Sequence, residues 1–273
     1  MAKISKQENG LYHVQNQWGG NSAPWHDGGM WVIGARGAQK VITLQVHSND
    51  GGRSLFGIMS YAGEGPIGFR ATLTQTNTYV VENNWGDSPW QPGGTWLLGA
   101  RNGQNVVSID IRSEDNGGTY TGAITYSGEG PIGFKAGGVD GGVYVAENQW
   151  GGNQAPWYPG GLWVIGCRGT QYVVGVDYTS ADGGRSINGT MTYMEEGPIG
   201  LKGAVALADT YITENQWGGS SAPWHPGGEW VLGCRGNQLV VGLKVSSPDS
   251  GKTLTGTTTY AGEGPIGFRA SLR

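Results

Sequence analysis

Short runs of alternating hydrophobic and polar residues fill the chain, and this period of two is typical of half-buried β-strands. The run Asn49-Asp50-Gly51-Gly52 predicts a tight turn between two of these segments. The first quarter of the chain is predicted to hold five strands, near Leu11 to Trp18, Met30 to Arg36, Val41 to His47, Ser54 to Tyr61 and Gly68 to Leu73.

The same pattern occurs four times, and two long runs mark each copy. The run NQWGGNSAPW at Asn16 returns as NNWGDSPW at Asn83, NQWGGNQAPW at Asn148 and NQWGGSSAPW at Asn215. The run EGPIGF or EGPIGL begins at Glu64, Glu129, Glu196 and Glu263. Successive leading tryptophans lie 67, 65 and 67 residues apart, because the second copy lacks two loop residues. The chain is therefore four repeats of about 67 residues.

Twenty short strands in four units suit either a four-bladed propeller or barrels in which two repeats close about ten strands. A propeller blade usually has four strands in roughly 40 to 50 residues, so these longer five-stranded repeats fit it poorly. We predict an all-β protein of two tandem ten-stranded antiparallel β-barrels, each built from two repeats. The glycine-rich junction Ala136 to Gly142 separates copies two and three, so the predicted domains are residues 1–138 and 139–273.

The composition supports a folded β protein. Glycine accounts for 53 of the 273 residues, without a three-residue period, and only 14% of residues are charged. These values exclude collagen and argue against helical bundles and coiled coils. The 12 Trp and 12 Tyr residues supply enough large apolar surface to argue against disorder.

The charge distribution and the termini limit the partners and the compartment. The net charge is −4 with no basic stripe, so no nucleic-acid partner is expected. The N-terminal MAKISKQENG lacks the apolar core of a secretory signal, and no run of about 18 apolar residues occurs. We expect a cytoplasmic protein without membrane insertion, with any release following a non-classical route.

Cysteine and histidine usage indicates no metal, cofactor or triad chemistry. Cys167 and Cys234 occupy the same place in two repeats and are predicted to be packed free thiols. Only His26 and His225 among the four histidines recur at an aligned position, so a site in every repeat has no support from histidine. We predict neither a metal site nor a cofactor.

Three tryptophans recur in every copy and divide into two kinds. The third of each copy lies in a strand-like apolar stretch and is predicted to be core. The first begins a loop rich in Gly, Asn, Ser and Pro, where an indole is either a ligand platform or a loop anchor. In chain order the tryptophans are Trp18, Trp25 and Trp31; Trp85, Trp90 and Trp96; Trp150, Trp157 and Trp163; and Trp217, Trp224 and Trp230.

The residues around the leading indole indicate carbohydrate binding. A flat indole beside small residues suits the C–H face of a pyranose, and Gly-Gly lets backbone groups approach the hydroxyls. An arginine follows the second strand of each copy, as Arg36, Arg101, Arg168 and Arg235. Its guanidinium fork can bracket vicinal hydroxyls, although an ordinary surface arginine fits the spacing equally well. The Glu of each Glu-Gly-Pro run is either a hydroxyl acceptor or a turn former.

Two other function classes remain open. A glycosidase needs two carboxylates about 5 to 5.5 Å or about 6.5 to 9.5 Å apart, and the second would come from Glu82, Glu147 or Glu214. Copy one has Gln15 at that position, so hydrolysis is not predicted. A structural or assembly protein would use the same repeats as a scaffold.

The recurring runs, with the strand that ends in Gly-x-Arg, resemble those of the Oscillatoria agardhii agglutinin family of lectins. The resemblance covers nearly all of residues 9–273, in a four-repeat form. It implies ten-stranded barrels of two repeats that bind the branched mannose core of high-mannose N-glycans. We expect a monomer. Glycoproteins that carry such glycans, viral envelope proteins among them, would be the partners, and the implied activities are agglutination and antiviral action.

The resemblance also implies four sites, in each of which Trp-Gly of one repeat faces the Arg and Glu-Gly of its barrel partner. The sites are Trp18 and Gly19 with Arg101, Glu129 and Gly130; Trp85 and Gly86 with Arg36, Glu64 and Gly65; Trp150 and Gly151 with Arg235, Glu263 and Gly264; and Trp217 and Gly218 with Arg168, Glu196 and Gly197. Two departures put the Trp85 and Trp217 sites in doubt: the shortened loop Gly86 to Pro89, and Met194-Glu195 where other copies have Ala or Ser and then Gly.

Overall fold

The computed structural model shows a chain whose regular elements are all β-strands in the part it describes. The described residues are 11–20, 22–36, 39–75, 77–99, 104–139, 142–152, 154–166, 168, 171–207, 210–233 and 238–272. No helix long and apolar enough to cross a membrane occurs among them. Cys167 and Cys234 lie outside these residues, so the prediction of packed free thiols stays a prediction.

The chain divides into two compact units, Met1–Val139 and Asp140–Arg273. The first unit contains β1 (Leu11–Gln17), β2 (His26–Val32), β3 (Ala35–Arg36), β4 (Gln39–His47), β5 (Ser54–Tyr61), β6 (Ile67–Gln75), β7 (Thr78–Asn84), β8 (Gln91–Leu97), β9 (Val106–Arg112), β10 (Thr119–Tyr126) and β11 (Ile132–Gly138). The second contains β12 (Gly142–Gln149), β13 (Tyr158–Ile165), β14 (Val173–Thr179), β15 (Ser186–Tyr193), β16 (Ile199–Leu207), β17 (Thr210–Gln216), β18 (His225–Val231), β19 (Val240–Ser246), β20 (Thr253–Tyr260) and β21 (Ile266–Leu272).

Each unit closes into a ten-stranded antiparallel barrel, which confirms the predicted fold class. In the first unit the order is β4-β5-β6-β7-β8-β2-β1-β11-β10-β9, closed by pairing of β9 with β4, and the short β3 pairs with β4. In the second the order is β12-β13-β18-β17-β16-β15-β14-β19-β20-β21. Closure leaves no long unpaired edge among the described strands of each barrel wall.

In each barrel, the first strand of one repeat pairs with the last strand of the other repeat. The first strand of repeat one, β1, pairs with the last strand of repeat two, β11, while β6 pairs with β7. The second strands of the two repeats meet through one residue pair, Val32 with Leu97 in the first barrel and Val164 with Val231 in the second. Loops of different repeats therefore lie side by side at the barrel ends.

The second strand differs from its prediction, whereas the other four of the first repeat agree within two residues. It begins at His26 and ends at Val32, and Ala35–Arg36 forms a separate short strand. A bulge at Gly28 and Gly29 lets the strand start early, because Gly29 has a φ of +76° and its amide bonds to Asp27. Asp-Gly-Gly has low β-propensity, so the alternation rule places the start of the strand too late.

The core of each barrel confirms the prediction for the third tryptophans. Trp31, Trp96, Trp163 and Trp230 are completely buried. A glycine of the partner repeat lies against each of these indoles; a Cβ on Gly99 would come within 2.5 Å of Trp31 Nε1, and one on Gly166 within 2.6 Å of Trp230 Nε1. A tryptophan of one repeat thus packs against a glycine of the other, so the interior is densely packed where the second strands of the two repeats meet.

An aspartate organises the turn between β4 and β5 and the equivalent turn of the other three repeats. In the third repeat the amide and hydroxyl of Ser186 bond to Asp182 at 2.8 and 2.7 Å, and the Ser180 hydroxyl donates at 2.8 Å. Donation by the Ser186 amide is the largest cause that lowers the pKa of Asp182 to about 2. The turn predicted at Asn49 to Gly52 has the same construction around Asp50.

Acid should weaken the fold through these turns. A carboxyl with a lower pKa in the folded chain than its value of about 3.9 in the unfolded chain stabilises the fold above that pH. This stabilisation is lost as the pH falls from about 4 to about 2, where Asp182 protonates in the folded chain. We expect Asp182→Asn to have lower stability at pH 5 but a smaller loss between pH 5 and pH 2, measured by urea unfolding. An unchanged pH dependence would contradict this role.

Candidate functional site

The four leading tryptophans stand at the surface. Trp18, Trp85, Trp150 and Trp217 are 36 to 44% exposed. In three repeats the indole is stacked on one side by the ring that follows the second tryptophan, with centroids 4.1 to 4.3 Å apart: Trp18 on His26, Trp150 on Tyr158 and Trp217 on His225. Gln91 occupies this place in the second repeat. A supported, partly exposed indole fits a ligand platform better than a buried anchor.

Strand register brings the leading tryptophan beside the Glu-Gly-Pro turn of the partner repeat. Gln17, directly before Trp18, pairs with Gly133, four residues after Glu129. The same register recurs in the other three places, where Asn84 pairs with Gly68, Gln149 with Gly267 and Gln216 with Gly200. Strand pairing thus produces the cross-repeat arrangement that the resemblance implies.

The Trp85 site shows this arrangement with every predicted residue in the described part of the chain. Arg36 forms an ion pair with Glu64, and its guanidinium carbon lies 5.3 Å from the centroid of the Trp85 ring. Gln39 accepts from Arg36 Nη2 at 2.8 Å and donates to the Ala62 carbonyl at 3.1 Å. Trp85 and Gly86 of the second repeat therefore lie beside a braced Arg and Glu of the first.

The Trp217 site repeats this geometry. Arg168 pairs with Glu196, and its guanidinium carbon lies 6.0 Å from the centroid of the Trp217 ring. Gln171 braces the pair as Gln39 does, by donating to the Met194 carbonyl at 3.1 Å. The residues predicted for two of the four sites thus come together from two repeats in the same manner.

A buried pair links the two recurring runs beneath the arginine. The side chain of Asn83, from the NNW run, lies 3.4 Å from the Tyr61 hydroxyl, and Asn215 Nδ2 donates to the Tyr193 hydroxyl at 3.2 Å. The Arg36 guanidinium in turn lies over the Tyr61 ring at 4.7 Å. The asparagine and the tyrosine therefore position the site without contributing to its surface.

The Trp18 and Trp150 sites are described except for their arginines. Arg101 and Arg235 lie outside the described residues, so their place in these sites stays a prediction. Glu129 and Glu263 stand in turns closed by the same amide-to-tyrosine-carbonyl bond of 3.0 Å that closes the Glu64 turn, and Gly130 and Gly264 follow them. Gly19 and Gly151 have φ angles of +93° and +96°, a backbone conformation that favours glycine at both positions.

The two departures from the repeat pattern, in the second and the third repeat, change the local structure but keep the turns. In the second repeat the Ser88 hydroxyl accepts from the Trp85 amide at 3.2 Å, and this bond closes the shorter loop. In the third repeat Glu195 takes the place of a glycine and has a φ of +67°, while the Glu196 amide still bonds to the Tyr193 carbonyl at 3.1 Å. A left-handed non-glycine residue costs about 1 kcal/mol or more, so this turn keeps its shape against backbone strain.

A cationic side chain lies over the ring of the second tryptophan in each repeat, and the sequence analysis did not single out these side chains. The charged groups of Lys135, Arg70, Arg269 and Lys202 lie 4.4 to 4.5 Å over the rings of Trp25, Trp90, Trp157 and Trp224, respectively. Glu82 and Glu147 bond to Arg70 and Arg269 at 2.6 Å, and Glu214 pairs with Lys202 at 3.0 Å. The carboxylates considered for hydrolysis are therefore committed to cations, while Glu64 and Glu196 pair with different arginines.

The chemistry of the assembled site is that of polyol recognition. Arg36 supplies a planar set of donors, Glu64 supplies acceptors, and the Trp85 ring offers an apolar face beside flexible glycine backbone. These groups complement the hydroxyls and C–H faces of a neutral sugar.

Comparisons with known proteins agree with this chemistry. The family model of the OAA-family lectin sugar binding domain matches residues 10–74, 77–138, 142–206 and 209–273. Myxobacterial hemagglutinin of Myxococcus xanthus is 60% identical over 263 residues, which are 96% of this chain and 98% of that protein. Lectin SfL-1 of Solieria filiformis is 55% identical over 265 residues, 96% of this chain and 99% of that lectin.

Solved structures share the architecture. The crystal structure of Burkholderia oklahomensis agglutinin has a TM-score of 0.95 at 61% identity and covers 99% of this chain and 97% of its own. The crystal structure of the Myxococcus xanthus hemagglutinin in complex with a3,a6-mannopentaose has a TM-score of 0.94 at 59% identity, covering 96% and 100%. The chain therefore belongs to the OAA-family lectins, carbohydrate-binding proteins rather than enzymes, and carries the family's sugar-binding domain in four copies.

Proposed function

We propose that the protein is an agglutinin that recognises the branched mannose core of high-mannose N-glycans through four sites. The observation that carries this proposal is the position of Arg36, which touches Glu64 of its own repeat and approaches Trp85 of the next. The relative from Myxococcus xanthus, 59% identical over 96% of this chain, was crystallised with a branched mannopentaose. The shared fold and the high sequence identity support the same ligand class here.

Four sites on one chain would act together on branched or clustered glycans. Tethered sites can raise avidity by about 10² to 10⁴-fold when the ligand spans them, even if each site binds weakly. Such avidity would produce cross-linking of cells and binding to densely glycosylated proteins. Antiviral activity against enveloped particles that display high-mannose glycans follows as part of the proposal.

Calorimetric titration with a3,a6-mannopentaose tests the proposal directly. We expect saturable binding with a stoichiometry near four per chain, because the four repeats supply four combinations of indole, carboxylate and guanidinium. Heat of binding absent at millimolar sugar would contradict the lectin function and favour the scaffold alternative. A stoichiometry of two with clear binding would retain the function and reject the four-site assignment.

A further inference from the structure

The residue directly after the second tryptophan occupies the same structural position in all four repeats. It begins the second strand of its repeat and pairs with the asparagine two residues before the leading tryptophan: His26 with Asn16, Gln91 with Asn83, Tyr158 with Asn148 and His225 with Asn215. Side chains two residues apart on an extended chain point to the same side, so this residue is the diagonal neighbour of the leading tryptophan. A large side chain at this position is therefore within reach of the indole.

In three repeats this position holds a ring that stacks on the leading indole. The ring planes are 12 to 19° from parallel, with centroids 4.1 to 4.3 Å apart, for His26 on Trp18, Tyr158 on Trp150 and His225 on Trp217. A stacked aromatic pair is stabilising beyond the area that it buries. The stack restrains rotation of indoles that are otherwise 40 to 44% exposed. These three indoles are therefore held in place in the protein without sugar.

The second repeat has no ring at this position. Gln91 stands there, and its side-chain amide donates to the Pro89 carbonyl of its own loop at 3.4 Å. The arginine approaches the indole in both described sites, since Arg36 lies 5.3 Å from the Trp85 centroid and the third repeat has the corresponding contact at 6.0 Å. The supporting ring and the length of the loop are thus what distinguish the Trp85 site from the Trp217 site.

A restrained indole favours ligand binding through a smaller loss of conformational entropy. A sugar that stacks on an indole fixes that side chain in one orientation, and fixing a side chain at an interface opposes binding. In three repeats the stacked ring already restricts the indole when the chain folds. In the second repeat the restriction occurs only when the sugar binds, so binding there is less favourable.

We propose that the ring after the second tryptophan is a positioning residue that raises the affinity of its sugar site. These rings belong to His26, Tyr158 and His225, and Gln91 makes the Trp85 site the weakest of the four. The inference rests on the proposed function and adds a ranking of the four sites. We expect the dissociation constant at the Trp85 site to be roughly fivefold higher than at the others, a factor typical of one aromatic pair.

The test exchanges this residue between two repeats and follows each site separately. In the ¹⁵N-labelled full chain, the indole N–H signals of the four leading tryptophans report the binding of a3,a6-mannopentaose site by site. Tyr158→Gln copies the second repeat into the third and should weaken the Trp150 site by roughly fivefold. Gln91→Tyr is the opposite change and should strengthen the Trp85 site by about the same factor. In each variant the three untouched sites are internal controls and should keep their dissociation constants.

Two further variants separate positioning from other effects. Tyr158→Phe keeps the ring without the hydroxyl and should restore parent-like binding at the Trp150 site; a loss of affinity there would indicate a hydroxyl contact with the sugar and overturn the positioning role. Phe56→Gln removes an exposed ring from the first barrel and should leave the Trp150 site unchanged. Without sugar, the Trp150 indole N–H should show a lower order parameter in Tyr158→Gln than in the parent. A general loss of structure would instead lower the urea midpoint and affect all four sites.

The outcomes distinguish this inference from the proposed function. If none of the four indole signals responds to mannopentaose, the proposed function fails and the ranking of sites fails with it. If the signals respond with equal dissociation constants, or if Tyr158→Gln leaves the Trp150 site unchanged, the lectin function stands and the positioning role is wrong. An unchanged Trp85 site in Gln91→Tyr would likewise reject it.

Discussion

Arg36→Ala should abolish glycan binding at the Trp85 site and reduce the stoichiometry for mannopentaose from four to three. The guanidinium approaches both Glu64 and the Trp85 ring, so its loss removes donors to the sugar and leaves the carboxylate without its partner. Two charge-assisted hydrogen bonds are together worth about 3 kcal/mol or more, which corresponds to roughly a hundredfold loss of affinity at this site. Calorimetry and the Trp85 indole signal measure the effect.

A surface arginine in a carboxylate pair away from the indoles provides the control. Arg112 lies 3.6 Å from Glu114 and is 72% exposed, so Arg112→Ala should retain four sites and full affinity. Both variants should unfold at nearly the same urea concentration as the parent, since the Arg112 pair is exposed, the Arg36 pair is only part-buried, and ion pairs at the surface contribute little to stability. Four intact sites in Arg36→Ala would refute the assembly of sites from two repeats.

Trp96→Ala should cost about 3 to 5 kcal/mol of the free energy of unfolding. The indole is fully buried, lies 5.2 Å from the Phe69 ring between centroids, and fills the space beside Gly34 of the partner repeat. Truncation leaves a cavity at the crossing of the two repeats, where closed strand pairing prevents the wall from collapsing. Urea unfolding followed by near-ultraviolet circular dichroism measures the loss.

Trp90→Ala makes the same chemical change in the same repeat at an exposed position. Trp90 is 37% exposed, with Arg70 over its ring at 4.5 Å. Its removal should cost about 1 kcal/mol, because little buried volume is lost. Equal destabilisation by the two variants would show that the third tryptophans are not the centre of the core.

Several features could be predicted from the sequence because they depend on neighbouring residues or on repetition. Alternation located four of the five predicted strands of the first repeat within two residues, and the four-fold recurrence with about five strands per copy favoured barrels over a propeller. Trp31 and its equivalents were predicted to be core from their apolar strands, and they are fully buried. The small polar residues around Trp18 and its equivalents left a ligand platform and a loop anchor both open, and the partial exposure of these rings in the structure favours the platform.

Other features were beyond the reach of sequence patterns. The early start of β2 depends on a glycine bulge that lowers apparent β-propensity. His26 stacks on Trp18 and so joins the two ends of one loop. The residue after the second tryptophan is an aromatic ring in three of the four copies, and this recurrence was the sequence signal for the stacking. The cations over the second tryptophans come from the partner repeat, as Lys135 over Trp25 does, and no local spacing indicates them.

The sequence by itself determined the four repeats, the β class, the buried third tryptophan and the residue types of a sugar site. The resemblance implied which repeat serves which indole, but residue patterns alone left the role of every Arg and Glu open. Tertiary structure places Arg36 beside Trp85 and Arg168 beside Trp217, because the pairing of β6 with β7 and of β16 with β17 sets the indole loop of one repeat next to the Glu-Gly-Pro turn of the other. The part of these arginines in sugar binding stays a prediction. Local patterns arise from interactions between near neighbours, whereas Arg36 and Trp85 belong to different repeats and meet only when the strands between them are folded and paired.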